Sequence, residues 1–174
     1  MISKWLEDLA ADFWELAGEE SPFPRDLEHL IHTTKPVTAI HLAQLRPQAV
    51  RDWLAWRRFP IDIEAADRPL NGCLIARQER GFLFVEESLP PDDERLIVAH
   101  EFAHFLADYE FPRTRACRRV GPGLLSVFDG PRQATPAERS NSGGGGPRCP
   151  RALHGANRNG NVYRAGQPGR TDGQ

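Results

Sequence analysis

The residue composition of the chain changes sharply near Pro131, and this change limits where a folded core can form. The 44 residues that follow Gly130 contain 9 Gly and 5 Pro, and from Ser140 onward the large apolar residues are Leu153, Val162 and Tyr163. Such a segment buries too little apolar surface to offset the entropy lost when its backbone is ordered. We therefore predict one folded domain over residues 1–130 and a Gly/Pro/Arg-rich disordered tail over residues 131–174.

Charge is also distributed unevenly along the chain. Residues 1–110 contain 11 Lys and Arg against 21 Asp and Glu, whereas residues 111–174 contain 11 Arg against 3 acidic residues. The arginines could attract nucleic acid, but no aromatic residues alternate with them and no nucleic-acid-binding motif accompanies them, so we expect solvated charge and no nucleic-acid partner. A DNA-associated factor is the weakest of the alternatives. An end of this composition is also typical of a shifted reading frame, and truncation or a frameshift near residue 138 is a hypothesis about the gene.

Cysteine usage and the N-terminus indicate a compartment. Cys73, Cys117 and Cys149 are odd in number and form no Cys-x-x-Cys pair, which fits a reducing environment. The N-terminus lacks the pattern of a secretory signal, and no run approaches the roughly 20 apolar residues of a membrane span. We predict a cytoplasmic protein without a membrane partner and leave its oligomeric state open.

Apolar periodicity and turn residues predict the elements of residues 1–90. Three- and four-residue spacings predict helices that end near Gly18, that follow Pro24, and that cover residues 47–58. A β-prone run covers residues 36–42, and two short strands at 72–76 and 81–85 flank a polar turn, so they predict a hairpin.

A long helix is predicted after Pro90 and Pro91, with Asp92 as its N-cap. From Leu96 to Ala107 the sequence is apolar almost all round except at three polar residues, so we expect a buried helix at the centre of the domain. The three polar residues belong to the pentad His100-Glu101-Phe102-Ala103-His104.

The spacing of this pentad is suited to zinc chemistry. Histidines four apart project from one helix face and can occupy two corners of a zinc tetrahedron. Glu101 follows the first histidine and can act as the general base toward a water polarised by the metal. The sequence thus predicts His100 and His104 as zinc ligands and Glu101 as the catalytic residue, against the alternative that three polar residues match the motif by chance.

A third protein ligand does not follow from the sequence. Asp108 shares the helix face of His104 but lies one turn further on, so we expect it to support a ligand or the helix end. Asp129 and Glu138 are candidates without a specific spacing, and His154 falls in the predicted tail. His29, His32 and His41 show no ligand spacing with the pentad, so we interpret them as surface or core residues.

The stretch Gly81–Val85, the acidic loop after it and the helix from Glu94 to Leu106 resemble the ImmA/IrrE family of metallopeptidases. The resemblance implies a zincin-like fold, zinc on His100 and His104, and Glu101 as general base. It also implies that the strand at 81–85 is the edge along which an extended peptide pairs. Family members typically cleave a helix-turn-helix repressor in stress response or mobile-element transfer. A carboxylate on a later helix completes their zinc site, and here the Gly-rich tail stands in its place.

Together these features predict an α+β, zincin-like metallopeptidase domain with a small antiparallel sheet and a buried pentad helix. The predicted function is zinc-dependent cleavage of a cytoplasmic protein, with a helix-turn-helix repressor as the implied substrate. The alternative is a catalytically impaired regulatory or interaction protein that keeps the peptidase fold.

Overall fold

The computed structural model describes residues 4–18, 23–59, 61, 63, 65–129, 133, 135 and 136, and the backbone of residues 153–156. Six α-helices lie among these residues: α1 (Lys4–Ala17), α2 (Leu27–Thr34), α3 (Pro47–Trp56), α4 (Pro91–His104), α5 (Phe111–Val120) and α6 (Leu125–Phe128). A π-helical segment (Phe105–Glu110) links α4 to α5, and a 3₁₀ turn (Pro122–Leu124) precedes α6. The strands are β1 (Val37–Leu42), β2 (Gly72–Arg77), β3 (Arg80–Glu86) and β4 (Leu153–Ala156).

The strands form one sheet in the order β1-β3-β2-β4. The predicted hairpin is confirmed, because β2 and β3 pair antiparallel across the Gln78–Glu79 turn. β1 pairs parallel with β3, so the sheet is mixed and the prediction of an antiparallel sheet is wrong. β3 therefore lies between two strands, and the prediction that it offers an edge to a peptide is wrong as well.

Alternating side chains of the sheet divide the core between its two faces, as the two-residue period of a strand requires. Leu74 and Leu83 point to the face covered by α1, α2 and α4, and Cys73 and Phe84 point to the face covered by α3 and the loop after it. The arrangement confirms an α+β architecture.

Helix α4 continues without a break through the π-helical segment into α5. Its inner side is anchored by Phe102, which packs edge-on against Phe13 of α1 with ring centroids 4.8 Å apart. Its outer side is open, and Leu96 is 67% exposed. The prediction of a fully buried helix is wrong, because one face of α4 covers the sheet and the other faces away from it.

The start of α4 also differs from the prediction. The helix begins at Pro91 and its N-cap position is Pro90, which has no side-chain acceptor. Asp92 lies inside the first turn and accepts a hydrogen bond from Arg95 at 3.2 Å, so it is not the cap. The proline at the first helical position fits because the first backbone N–H groups of a helix have no partner within the helix.

Strand β4 lies within the segment for which the sequence predicts disorder. It pairs antiparallel with β2 over residues 153–156, so that prediction is wrong for these four residues. Most of the remaining predicted tail lies outside the described residues. Within the part of the chain that is described, no helix combines the length and apolar character needed to cross a membrane.

Candidate functional site

The two pentad histidines lie next to each other in the C-terminal part of α4. The ring centroids of His100 and His104 are 4.8 Å apart, and the ring planes meet at 78°. The four-residue spacing places the rings on one helix face, as helical geometry requires. The arrangement brings two imidazoles side by side on one face of α4.

Asp108 fixes the orientation of His104. The Nδ1 atom of His104 lies 2.7 Å from Oδ2 of Asp108, one turn further along the helical run. A carboxylate bound to Nδ1 leaves Nε2 as the nitrogen that can face a metal. Asp108 therefore contacts the histidine with which the sequence places it on one helix face.

His100 is more exposed than its neighbour, and its surroundings favour the neutral imidazole. Partial burial lowers the pKa of His100 below its ordinary value, and the nearby His104 lowers it further. A neutral imidazole keeps the lone pair that a metal requires.

Glu101 projects from α4 toward the sheet and has no solvent-exposed surface. It lies beside the first residue of β2, since a Cβ atom built on Gly72 would be 3.5 Å from Cγ of Glu101 and would overlap Cγ2 of Ile97. Burial raises the pKa of the Cys73 thiol, and the charge of Glu101 raises it further. The close contact of β2 and α4 thus encloses the Glu101 side chain.

The structure also tests the candidates for a third ligand. Both carboxylate oxygens of Asp129 accept hydrogen bonds from the guanidinium of Arg113, at 3.0 and 2.9 Å, and one of them also accepts from the backbone N–H of Gln78 at 3.2 Å. Asp129 is therefore engaged in a largely buried ion pair with Arg113. Glu138 and the side chain of His154 lie outside the described residues. Within the described part of the chain, His100 and His104 belong to no group of three potential ligands.

A different set of side chains does form such a group. Glu28 from α2, His41 from β1 and Glu94 from α4 bring one ligand atom each within 4.8 Å of one another, so the domain contains a group that could hold a metal ion at a place the sequence does not predict. His41 lies at the surface, as the sequence interpretation has it, but its approach to Glu28 and Glu94 was not expected. No spacing in the sequence could have revealed it, because the three residues come from three separate elements.

Searches of protein-family models, of curated proteins and of solved structures find no significant match to the chain. The comparisons therefore assign no family, and the resemblance to the ImmA/IrrE metallopeptidases stays a prediction from the pentad and its flanking residues.

Proposed function

We propose that the chain is a zinc-dependent endopeptidase with a zincin-like fold that acts on a protein substrate. The observation that carries the proposal is the pair of adjacent imidazoles on α4, one of which is oriented by a carboxylate. A surface helix without a metal site would have no reason to combine two adjacent histidines with a buried glutamate between them and a carboxylate one turn further on.

Each residue has a distinct role in this proposal. His100 and His104 would hold the zinc ion, and Asp108 keeps the His104 ring in the tautomer that presents Nε2. Zinc in such a site would act as a Lewis acid that lowers the pKa of water toward neutrality. Glu101 accepts the proton of the attacking water and returns it to the leaving amine. Because Glu101 is fully enclosed, catalysis requires the enclosing groups to move when substrate binds.

The resemblance to the ImmA/IrrE family adds a substrate class to the proposal. A helix-turn-helix repressor in the cytoplasm is the substrate that this resemblance implies. The structure removes one part of the implied recognition, because β3 has a neighbouring strand on each side.

A second function is favoured by two specific observations. The enclosed Glu101, together with the lack of a third ligand near His100 and His104 among the described residues, fits a regulatory or interaction protein that retains a peptidase-like helix. Such a protein would fold without zinc on the pentad and would not hydrolyse peptide bonds.

Zinc content and hydrolysis discriminate between the two functions. The full chain would be stripped with EDTA, dialysed against ZnCl₂ and analysed by mass spectrometry, and hydrolysis of fluorescein-labelled casein and of a candidate repressor would be followed. If the chain is the proposed peptidase, His104→Ala should lose one zinc ion per chain and all measurable hydrolysis. His32→Ala is the matched control, because His32 is an exposed histidine on α2.

Two results would contradict the peptidase. One is a folded wild-type protein that has the same zinc content as His104→Ala. The other is hydrolysis that continues after zinc is removed or after Glu101 is replaced.

A further inference from the structure

Three elements converge on His41 at the opposite end of α4 from the pentad. The Nε2 atom of His41 lies 3.0 Å from Oε1 of Glu94 and 3.2 Å from Oε1 of Glu28. The three side chains are each about one-third exposed, at 35%, 34% and 32% for His41, Glu94 and Glu28. They are therefore partly removed from water yet reachable by an ion.

The contacts in this cluster place two carboxylates around one imidazole nitrogen. A single imidazole nitrogen carries at most one proton, so the two carboxylates compete for one donor. Among the described residues, the ion pairs of Glu28 and of Glu94 are both with His41. Two carboxylates thus share one imidazole, and the hydrogen bond between the side chains of Glu28 and Glu94 requires a proton on one of the two carboxyls.

Burial is the main cause that raises the pKa of Glu28 above its ordinary value. His41 opposes the shift, while the charges of Glu94 and Asp26 and a hydrogen bond with Glu94 add to it. A divalent cation among the three side chains would remove the repulsion between the carboxylates.

The two separations measured from Nε2 of His41 fit a small divalent ion. Nitrogen and oxygen ligands about 2.0–2.1 Å from zinc lie roughly 3.3 Å apart in a tetrahedron, close to the 3.0 and 3.2 Å seen here. A cavity of about 310 Å³ adjoins the cluster and is lined in part by Glu28 and Glu94, with Arg25, Asp26 and Arg95 also on its wall. Its volume admits water molecules that would complete the coordination.

We propose that Glu28, His41 and Glu94 form a second metal site, distinct from the pentad, that binds a divalent transition-metal cation such as Zn²⁺. The combination of imidazole and carboxylates favours zinc over Ca²⁺ and Mg²⁺, which prefer ligand sets of oxygen alone. The ion would join α2, β1 and the first turn of α4. It would thereby fix the start of the helix whose other end carries His100 and His104.

Zinc titration of the full chain in a His104→Ala background tests this site apart from the pentad. The EDTA-stripped variant would be titrated with ZnCl₂ by calorimetry, and zinc retained after dialysis would be counted by mass spectrometry. We expect one zinc ion to remain bound to His104→Ala and its affinity to fall at least tenfold when His41→Ala is added. His29→Ala is the matched control, since His29 is an exposed histidine on α2 beside the cluster, and it should leave the affinity unchanged.

Conservative variants keep the test decisive if His41→Ala disturbs the fold. Glu28→Gln and Glu94→Gln preserve the side-chain volume and remove the negative charges, and circular dichroism would confirm that the double variant is folded. Zinc that binds equally tightly to the folded double variant, or a His104→Ala protein that binds no zinc, overturns the second site. A failure of the peptidase proposal would give a different result. The wild-type chain would then bind zinc only at the second site, so that His41→Ala removes all bound zinc.

Discussion

The two ends of α4 present potential metal ligands in different ways. At the C-terminal end, His100 and His104 come from one helix and their rings are 4.8 Å apart. At the N-terminal end, Glu94 meets one residue from α2 and one from β1, with all three ligand atoms within 4.8 Å. The first arrangement follows from helical spacing alone, and the second exists only because the tertiary fold brings three elements together.

The difference shows what a local motif can and cannot supply. A four-residue repeat places two imidazoles on one face wherever a helix forms. A closed ligand set requires side chains from elsewhere in the chain, and the described part of the domain supplies them at the end of α4 where no motif is present. The following four changes test this contrast.

The largest effect is expected for Glu101→Gln at the C-terminal end. The amide cannot accept a proton, so casein hydrolysis should fall roughly 100- to 10,000-fold, the usual contribution of a general base. Zinc content should not change, because the amide leaves both imidazoles in place. Glu87→Gln, an exposed position on the turn before α4, is the control. Hydrolysis that survives Glu101→Gln would show that this carboxylate is not the base.

Asp108→Ala should weaken zinc binding at the pentad about 10- to 100-fold, because the hydrogen bond that orients His104 is lost. Asp108→Asn retains an acceptor and should have a smaller effect. Calorimetric titration in a His41→Ala background isolates the pentad from the second site. Asp92→Ala removes an exposed carboxylate from the same helix as a control, and equal affinities for all three proteins would show that Asp108 does not act on the metal.

Gly72→Ala tests the contact between β2 and α4 that lies between the two ends. The added methyl group would overlap Cγ2 of Ile97, so the free energy of unfolding should fall by about 1–3 kcal/mol. Urea denaturation of Gly72→Ala, Ile97→Ala and the double variant measures the coupling. Ile97→Ala removes the overlapping atom, so the double variant should be more stable than the sum of the single changes predicts. Strict additivity would mean that the two residues are not in close contact.

Asp26→Ala should have the smallest effect and should act at the N-terminal end only. Asp26 caps α2 by accepting a hydrogen bond from the backbone N–H of His29 at 3.0 Å. Loss of such a cap costs about 1 kcal/mol in the free energy of unfolding, which thermal denaturation would detect. Asp26→Asn retains the capping oxygen and should be close to wild type. If Asp26→Asn is as unstable as Asp26→Ala, the charge of Asp26, rather than its capping hydrogen bond, stabilises the domain.

Much of the secondary structure could be predicted because its signals are local. The spacing of apolar residues predicts α1, Pro47 predicts the start of α3, and the polar turn at 78–79 predicts the β2–β3 hairpin, all of which are confirmed. The parallel pairing of β1 with β3 was missed, because strand neighbours are chosen by the packing of the whole sheet. The cap of α4 was missed because Pro91 occupies the first helical position and moves Asp92 inside the helix.

Some features of the candidate site could likewise be predicted from local sequence, and others could not. The adjacency of the His100 and His104 rings follows from helical spacing, and the position of Asp108 follows from the next turn. The enclosure of Glu101 could not be predicted, because it depends on how closely Gly72 brings β2 to the helix. The pairing of Asp129 with Arg113 depends on the fold of the chain after α5 and has no signal in the sequence.

The π-helical segment between α4 and α5 determines which way α5 faces. An α-helix turns by about 100° per residue, so a segment with a wider turn carries α5 into a different phase from α4 while the two remain one continuous rod. In that phase Arg113 of α5 pairs with Asp129. Removing a single residue between Phe105 and Glu110 would rotate the arginine away from its partner without shortening the rod by more than about 1.5 Å. The wide turn therefore sets the rotation between the two helices. It allows α4 to pack on the sheet while Arg113 of α5 faces Asp129.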